Sequence, residues 1–188
     1  MKSKISPEPA LLGFLQKGPI HGYDLFKQVN RELGPIWHIG LSQMYAILND
    51  YAARGWIRTR VERGGARPAR KVLELTPRGR KAFKAWMAQP AQGLREFRVD
   101  FFARLYFARA GGRHQIEILI DQQMAASRRE LEVLRAGRTR DEDEFLRAVR
   151  RFRIEQLSTI LKWLEHNRRE LVPQTARRRS RKITKELP

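Results

Sequence analysis

Residues 40–55 read GLSQMYAILNDYAARG, and the surrounding sequence can be read as what holds this stretch in place. Wound as a helix at about 100° per residue, it puts Met44, Ile47, Leu48 and Tyr51 on one side and Ser42, Tyr45, Ala46 and Asn49 on the other. The first side wants a core. The second is small and hydrogen-bonding, without the Glu and Lys that normally cover a solvated helix. Such a face suits a groove of DNA, where small polar side chains reach base edges or phosphates. An ordinary amphipathic helix that lacks outer charge would read the same way, so the flanks decide.

Upstream, Ser6-Pro7-Glu8 has the cap-plus-proline signature of a helix start, and Leu11, Leu12, Phe14 and Leu15 give that helix a broad buried face. Gly18-Pro19 stops it. A second helix is predicted from about His21, with Leu25, Val29 and Leu33 on one stripe, before Gly34-Pro35 breaks the chain again. Downstream, residues 56–62 alternate with period two. Ile57, Thr59 and Val61 are predicted to face inward, and Arg58, Arg60 and Glu62 outward. Residues 63–70 form a turn rich in glycine and arginine, and residues 71–75 return as a strand. Three helices followed by a basic-tipped hairpin is the order of a winged helix-turn-helix.

Thr76-Pro77 repeats the helix-start signal, and the helix it opens runs to about Met87. The polar stretch at residues 89–93 marks a domain boundary. Beyond it, residues 94–109 and 113–135 read as helices, the latter with Ile116, Ile120, Met124, Leu131 and Leu134 near heptad spacing. Thr139 and Glu142 form a capping box for a long last helix. Its stripe of Phe145, Val149, Phe152, Gln156, Ile160 and Trp163 is flanked by Leu146, Leu157, Leu161 and Leu164. A face that wide exceeds what one neighbouring helix covers, which predicts a partner chain over a self-covering monomeric hairpin. The fold class is therefore mainly α with a small β-hairpin wing. A winged helix-turn-helix domain (1–90) precedes an all-helical dimerisation domain (91–173) and a basic tail (174–188) expected to be disordered.

Charge supports a polyanionic partner. The 188 residues carry a net charge of +19, of which residues 1–90 contribute +10, residues 91–171 only +4 and the remainder +5. The chain has no cysteine, which excludes disulfides and cysteine zinc sites. Neither a membrane-length apolar run nor a signal-peptide pattern is present, so the expected location is cytoplasmic, with no membrane partner. An enzyme is not expected. His21, His38, His114 and His166 lie far apart, no Walker loop or nucleophile elbow occurs, and the acidic run at residues 141–144 is explained by helix capping. No catalytic residue, metal site or cofactor is assigned.

Several segments together resemble the PadR family of bacterial transcriptional regulators. They are Gly18-Pro19, His21-Gly22-Tyr23-Asp24-Leu25, Trp37, Tyr45, Leu48, Gly55-Trp56-Ile57, Gly64-Gly65, Pro68, Arg70-Lys71 and Leu75-Thr76-Pro77-Arg78-Gly79. The segment Glu96-Phe97-Arg98-Val99-Asp100-Phe101-Phe102 resembles the start of the helical C-terminal domain of longer members, a dimerisation domain similar to that of virulence-gene regulators. Three departures stand out. Ser42-Gln43-Met44-Tyr45-Ala46 replaces the usual Gly-Thr-Leu-Tyr-Pro, Val72 and Leu73 replace strand tyrosines, and Asn49-Asp50 falls where a basic residue is common.

These readings set the expectations. A homodimer would present two copies of the 40–55 helix to successive major grooves of a palindromic double-stranded DNA operator. Ser42, Gln43, Tyr45 and Asn49 would make groove contacts, the amides of Gln43 and Asn49 suiting adenine. Tyr23, Arg63, Arg67, Arg70 and Lys71 would meet the backbone or minor groove. Phe145, Val149, Phe152, Ile160 and Trp163 would carry dimerisation. The resemblance implies repression, relieved in some members by a small-molecule effector; Trp86, Phe97, Phe101 and Phe102 are read as core rather than as a ligand pocket. A winged-helix module that binds RNA or another protein is the alternative.

Overall fold

The computed structural model describes residues 8–64, 67–137 and 143–172, without the side chains of residues 63–70. Helix α1 (Ala10–Phe14) tightens into a 3-10 turn over Leu15–Lys17. Every residue of α1 is buried, which suits a run of apolar side chains broken only by Gly13. The helix begins at Ala10; the cap expected at Ser6 lies outside the described residues. Helices α2 (Gly22–Leu33) and α3 (Leu41–Ala53) follow, both amphipathic, with α3 lying inside the 40–55 stretch as expected.

Strands β2 (Ile57–Gly64) and β3 (Arg67–Leu75) form the antiparallel hairpin, with Ile57 opposite Leu75 and Val61 opposite Lys71. A two-residue strand, β1 (Ile20–His21), pairs with the other edge of β3, giving the order β1-β3-β2. The inward orientation expected along the whole hairpin holds only at its base. Ile57, Leu73 and Leu75 are buried, whereas Thr59 and Val61 are exposed because the hairpin runs out past the helices that would cover them. On the opposite sheet face Arg58 pairs with Glu74 at 2.6 Å, and Arg60 with Glu62 at 2.7 Å.

Helix α4 (Pro77–Met87) starts at Thr76, whose hydroxyl accepts the Gly79 N–H at 3.1 Å and reaches the Gly55 carbonyl at 2.7 Å. One side chain thus caps α4 and ties it to the end of α3. The helix expected over residues 94–109 is a broken one. It consists of α5 (Gly93–Glu96), a π-helical turn (Phe97–Phe101), α6 (Phe102–Ala108) and a 3-10 turn (Arg109–Gly111).

Helices α7 (Arg113–Ala136) and α8 (Glu144–Leu171) run antiparallel, with Arg168 paired to Asp121 at 2.5 Å and Arg153 to Glu130 at 3.0 Å. These exposed pairs set register more than stability. Asp143 caps α8 by accepting the Phe145 N–H at 3.2 Å; Thr139 and Glu142, the expected capping box, lie outside the described residues, as does the 174–188 tail.

Two cores result, and they interlock. The first joins α1–α4 and the hairpin base; the second joins the 97–108 segment to α7 and α8. Packing crosses residue 90, because Ala103, Tyr106 and Phe107 belong to the first core although they follow the expected boundary. A β-carbon on Gly13 would fall 2.5 Å from the Phe107 ring, so α1 and α6 meet only because residue 13 has no side chain. The linker is also held. Gln123, buried on α7, accepts the Ala91 N–H at 2.7 Å and donates to the Ala91 carbonyl at 2.9 Å.

Of the five side chains expected at a dimer seam, Ile160 is buried in the chain's own core and Trp163 packs against it, within reach of Phe97 and Phe102. Antiparallel pairing with α7 consumes that end of the stripe. Phe145 (70% exposed), Val149 and Phe152 (59%) remain outside, with Leu146 beside them. The Phe97 and Phe101 rings stack at 4.6 Å, so the aromatic row is core.

Candidate nucleic-acid interface

Helix α3 divides as its periodicity dictates. Met44, Ile47, Leu48 and Tyr51 are buried, and Ser42, Gln43, Tyr45, Ala46 and Asn49 all face solvent. Apolar burial on one side holds the helix down and leaves its polar side as a platform. Asp50 is paired with Arg54 at 2.8 Å, so the acid that follows Asn49 has a cationic neighbour one turn on.

Between α3, the start of α2 and the hairpin lies a groove of about 640 Å³, lined among others by Tyr23, Lys27, Tyr45, Asn49, Thr59 and Lys71. The structure thus brings Tyr23 and Lys71 to the same cleft as Tyr45 and Asn49. Ser42 and Gln43 stand on the exposed first turn of α3, beyond the cleft lining. Arg63, Arg67 and Arg70 fall on the hairpin, with Glu62 opposite Arg70 and Gly64 opposite Arg67; their side chains lie outside the described set.

Tyr45 is 43% exposed and leans on α2. A β-carbon at Gly22 would lie 3.0 Å from its hydroxyl oxygen and 3.1 Å from its ring, so glycine at the first position of α2 lets the ring lie flat there. That contact limits how far its hydroxyl can reach. Tyr23 is 55% exposed and carries the Lys27 ammonium 4.9 Å above its ring, while Lys27 also pairs with Asp24 at 2.9 Å. The His21 ring nitrogen Nδ1 lies 3.3 Å from the Lys71 carbonyl, joining the α2 start to β3.

Sequence reasoning missed Lys27, His21 and Thr59 as groove-lining residues. The signal for Lys27 was present, since it follows Tyr23 by one helical turn. Thr59 is expected to face inward because period-two alternation tells which residues share a face but not where cover ends. Among the described residues no group of three or more His, Asp or Glu could hold a metal, and no helix is long and apolar enough to cross a membrane.

Three packed helices, a short sheet edge and a protruding hairpin beside an uncharged helix face define a winged helix-turn-helix protein, here extended by an antiparallel helical pair. Residues 11–85 match the transcriptional regulator PadR-like family, and residues 97–171 match the virulence activator alpha C-terminal family. The winged-helix half thus carries a PadR-like domain and the helical half a virulence-activator-like one, each match covering less than half of the chain.

The negative transcriptional regulator PadR of Bacillus subtilis is 28% identical over 115 residues, 61% of this chain and 63% of its own length. A Mycobacterium tuberculosis protein named a probable transcriptional regulator is 28% identical over 81 residues, 43% of each chain. The match thus spans less than two thirds of either relative. Among solved structures, that of Bacillus subtilis PadR in complex with operator DNA aligns over 87% of this chain and 98% of that one, at 22% identity and a TM-score of 0.44.

Proposed function

We propose that the chain is a PadR-type transcriptional regulator, a cytoplasmic homodimeric repressor that recognises a palindromic double-stranded DNA operator with the exposed face of α3. The observation that carries the reading is the juxtaposition of an uncharged, amide-bearing helix face with a cation-lined groove and an arginine-bearing hairpin. Ser42, Gln43 and Asn49 meet base edges, while Tyr45 and Tyr23 hold the adjoining backbone. Lys71 and the hairpin arginines Arg63, Arg67 and Arg70 supply sequence-independent attraction that weakens with salt, because each counterion released on binding gains less entropy in a saltier solution.

Exposed Phe145, Val149 and Phe152 on α8 offer the apolar seam for a second copy, which would set two α3 helices about one DNA turn apart. The Bacillus relative's name, a negative regulator, supports repression as the output. Release by a small molecule is part of this reading, and one cleft supports it. A cleft of about 440 Å³ lies between α4 and α7, with Phe83, Met87, Ile118 and Leu119 as its apolar walls and Gln16 and Gln115 among its polar lining groups.

Selection of bound fragments from random duplex DNA at near-physiological salt tests the reading. Enrichment of an inverted repeat is the expected result. Equal retention of all duplexes, or preference for structured RNA, would replace it with a winged-helix module that binds without sequence discrimination.

A further inference from the structure

Helix α3 has no side-chain cap of its own. Its N-terminal cap is Gly40, in an extended conformation, and nothing on that residue can accept the free N–H groups of the first turn. Something else must fix where the helix begins, because Ser42 and Gln43 stand on that turn. The residue that does so is Asn30, on α2.

The Asn30 amide treats Ile39 as one strand treats another. Its Oδ1 accepts the Ile39 N–H at 3.1 Å, and its Nδ2 donates to the Ile39 carbonyl at 3.0 Å. Both bonds go to one residue, in the reciprocal pattern of a hydrogen-bonded antiparallel pair. The amide lies partly buried, where competition from water is reduced. Nδ2 also lies 3.4 Å from the Phe26 carbonyl, one turn back on α2, which orients the side chain toward the connection. The Ile39 side chain is completely buried. Residue 39 is thus pinned twice, by its side chain in the core and by its backbone on Asn30, and α3 starts two residues later.

We propose that Asn30 is a positioning residue for operator recognition: without touching DNA, it fixes the entry point of α3 relative to α2, and so the height and angle at which Ser42 and Gln43 meet base edges. The inference rests on the DNA reading above. Only a side chain with one donor and one acceptor at this spacing satisfies both groups. Aspartate keeps the acceptor and loses the donor, and alanine loses both. Base readout tolerates small displacements poorly, because bidentate contacts need both hydrogen bonds in line. Attraction to the phosphates tolerates them well, because charge acts over a Debye length of about 8 Å at physiological salt.

The test compares wild type, Asn30→Ala and Asn30→Asp on two duplexes of equal length, the one selected by the wild type and a scrambled one, with folding checked by far-UV circular dichroism. The expected result is that Asn30→Ala binds the scrambled duplex as wild type does but loses about tenfold on the selected one. Asn30→Asp falls between. Amide exchange at Ile39 accelerates in Asn30→Ala, which removes the acceptor of that N–H, and stays slower in Asn30→Asp, which keeps it. A merely structural role would lower the melting temperature and leave the ratio of the two affinities intact; that outcome overturns the assignment, as does an equal loss on both duplexes. Should Asn30→Ala not fold, Asn30→Asp carries the comparison by the same criterion. A wild-type protein that prefers no duplex overturns the DNA reading itself, and the wild-type arm alone shows it.

Discussion

The Tyr106 hydroxyl on α6 donates to the Glu32 carboxylate on α2, 74 positions earlier in the chain. Glu32 also accepts from Gln28 at 3.1 Å and Arg31 at 2.9 Å, so the carboxylate ends a small network on the helix that orients α3. This polar tie joins the helical C-terminal half to the winged helix, beside the apolar contact of Gly13 with Phe107. Tyr106→Phe keeps the ring against Phe14 and Phe107 and removes only the donor. A loss of about 2 kcal/mol is expected, as for a hydrogen bond to a charged group. Urea unfolding should show a lower midpoint with an unchanged slope; an unaltered midpoint would mean that the contact adds nothing.

Tyr51 makes the opposite case. Its ring is buried beside Trp56 at 5.3 Å, yet its hydroxyl has no hydrogen-bond partner among the described residues. Burial, reinforced by the nearby Glu8 and Asp50 carboxylates, drives its pKa far above the usual phenol range. A buried hydroxyl without a partner costs about 1–3 kcal/mol. Tyr51→Phe should therefore raise stability, by about 1 kcal/mol, with a higher melting temperature as the readout. A fall would show that the hydroxyl is hydrogen-bonded in solution.

Asp100 and Arg104 form a buried pair at the junction of the two cores. Asp100 accepts the Trp86 indole N–H at 3.0 Å, while Arg104, only 4% exposed, stands 3.8 Å away over the Trp86 ring, with Nε and Nη1 unpartnered among the described residues. Burial holds the Asp100 pKa above the usual carboxylate range, against the pull of Trp86 and Arg104, and holds that of Arg104 below its own. A carboxyl raised on folding favours the folded state most below its unfolded pKa, and that contribution is lost as pH rises through the folded value. The stability of wild type relative to Asp100→Asn should therefore grow as pH falls from neutral toward about 4. Asp100→Ala, which strands Arg104, should cost about 3–5 kcal/mol, and Asp100→Asn/Arg104→Met much less. Equal losses in the single and double variants would contradict this account.

Phe152 offers a test of the seam. It is exposed in the isolated chain, so Phe152→Glu should leave the fold intact while placing charge where a second copy would pack. Sedimentation should show monomers where the wild type is expected to run as a dimer, with binding to an inverted repeat reduced to about that of a single half-site on a duplex of equal length. An unchanged dimer would move the seam elsewhere.

The division of α3, the helix order and the hairpin were legible because each rests on local periodicity: 3.6 for Met44, Ile47, Leu48 and Tyr51, two for the strands. What escaped depends on distant partners. Strand β1 is two residues long and exists because β3 offers it an edge. Ile160 and Trp163 belong to the same apolar stripe as Phe152, and only the antiparallel placement of α7 decides which of them it covers. The amides of Asn30 and Gln123 look like any surface amide in sequence, because their backbone partners lie 9 and 32 residues away. In the candidate site, Tyr45 was legible as an exposed residue, but its lean on Gly22 was not.

The central claim is that α3 reads bases while the hairpin and groove cations hold the backbone. The most direct measurement is the affinity of Asn49→Ala for the selected duplex and for every single base-pair substitution of it, beside Lys71→Ala and wild type. Asn49→Ala should lose discrimination at one base pair of each half-site, by about 1–3 kcal/mol, and bind random duplex as wild type does. Lys71→Ala should weaken all duplexes alike and lower the salt slope by about one. Uniform loss across every substituted duplex for Asn49→Ala, with no position singled out, would contradict the claim.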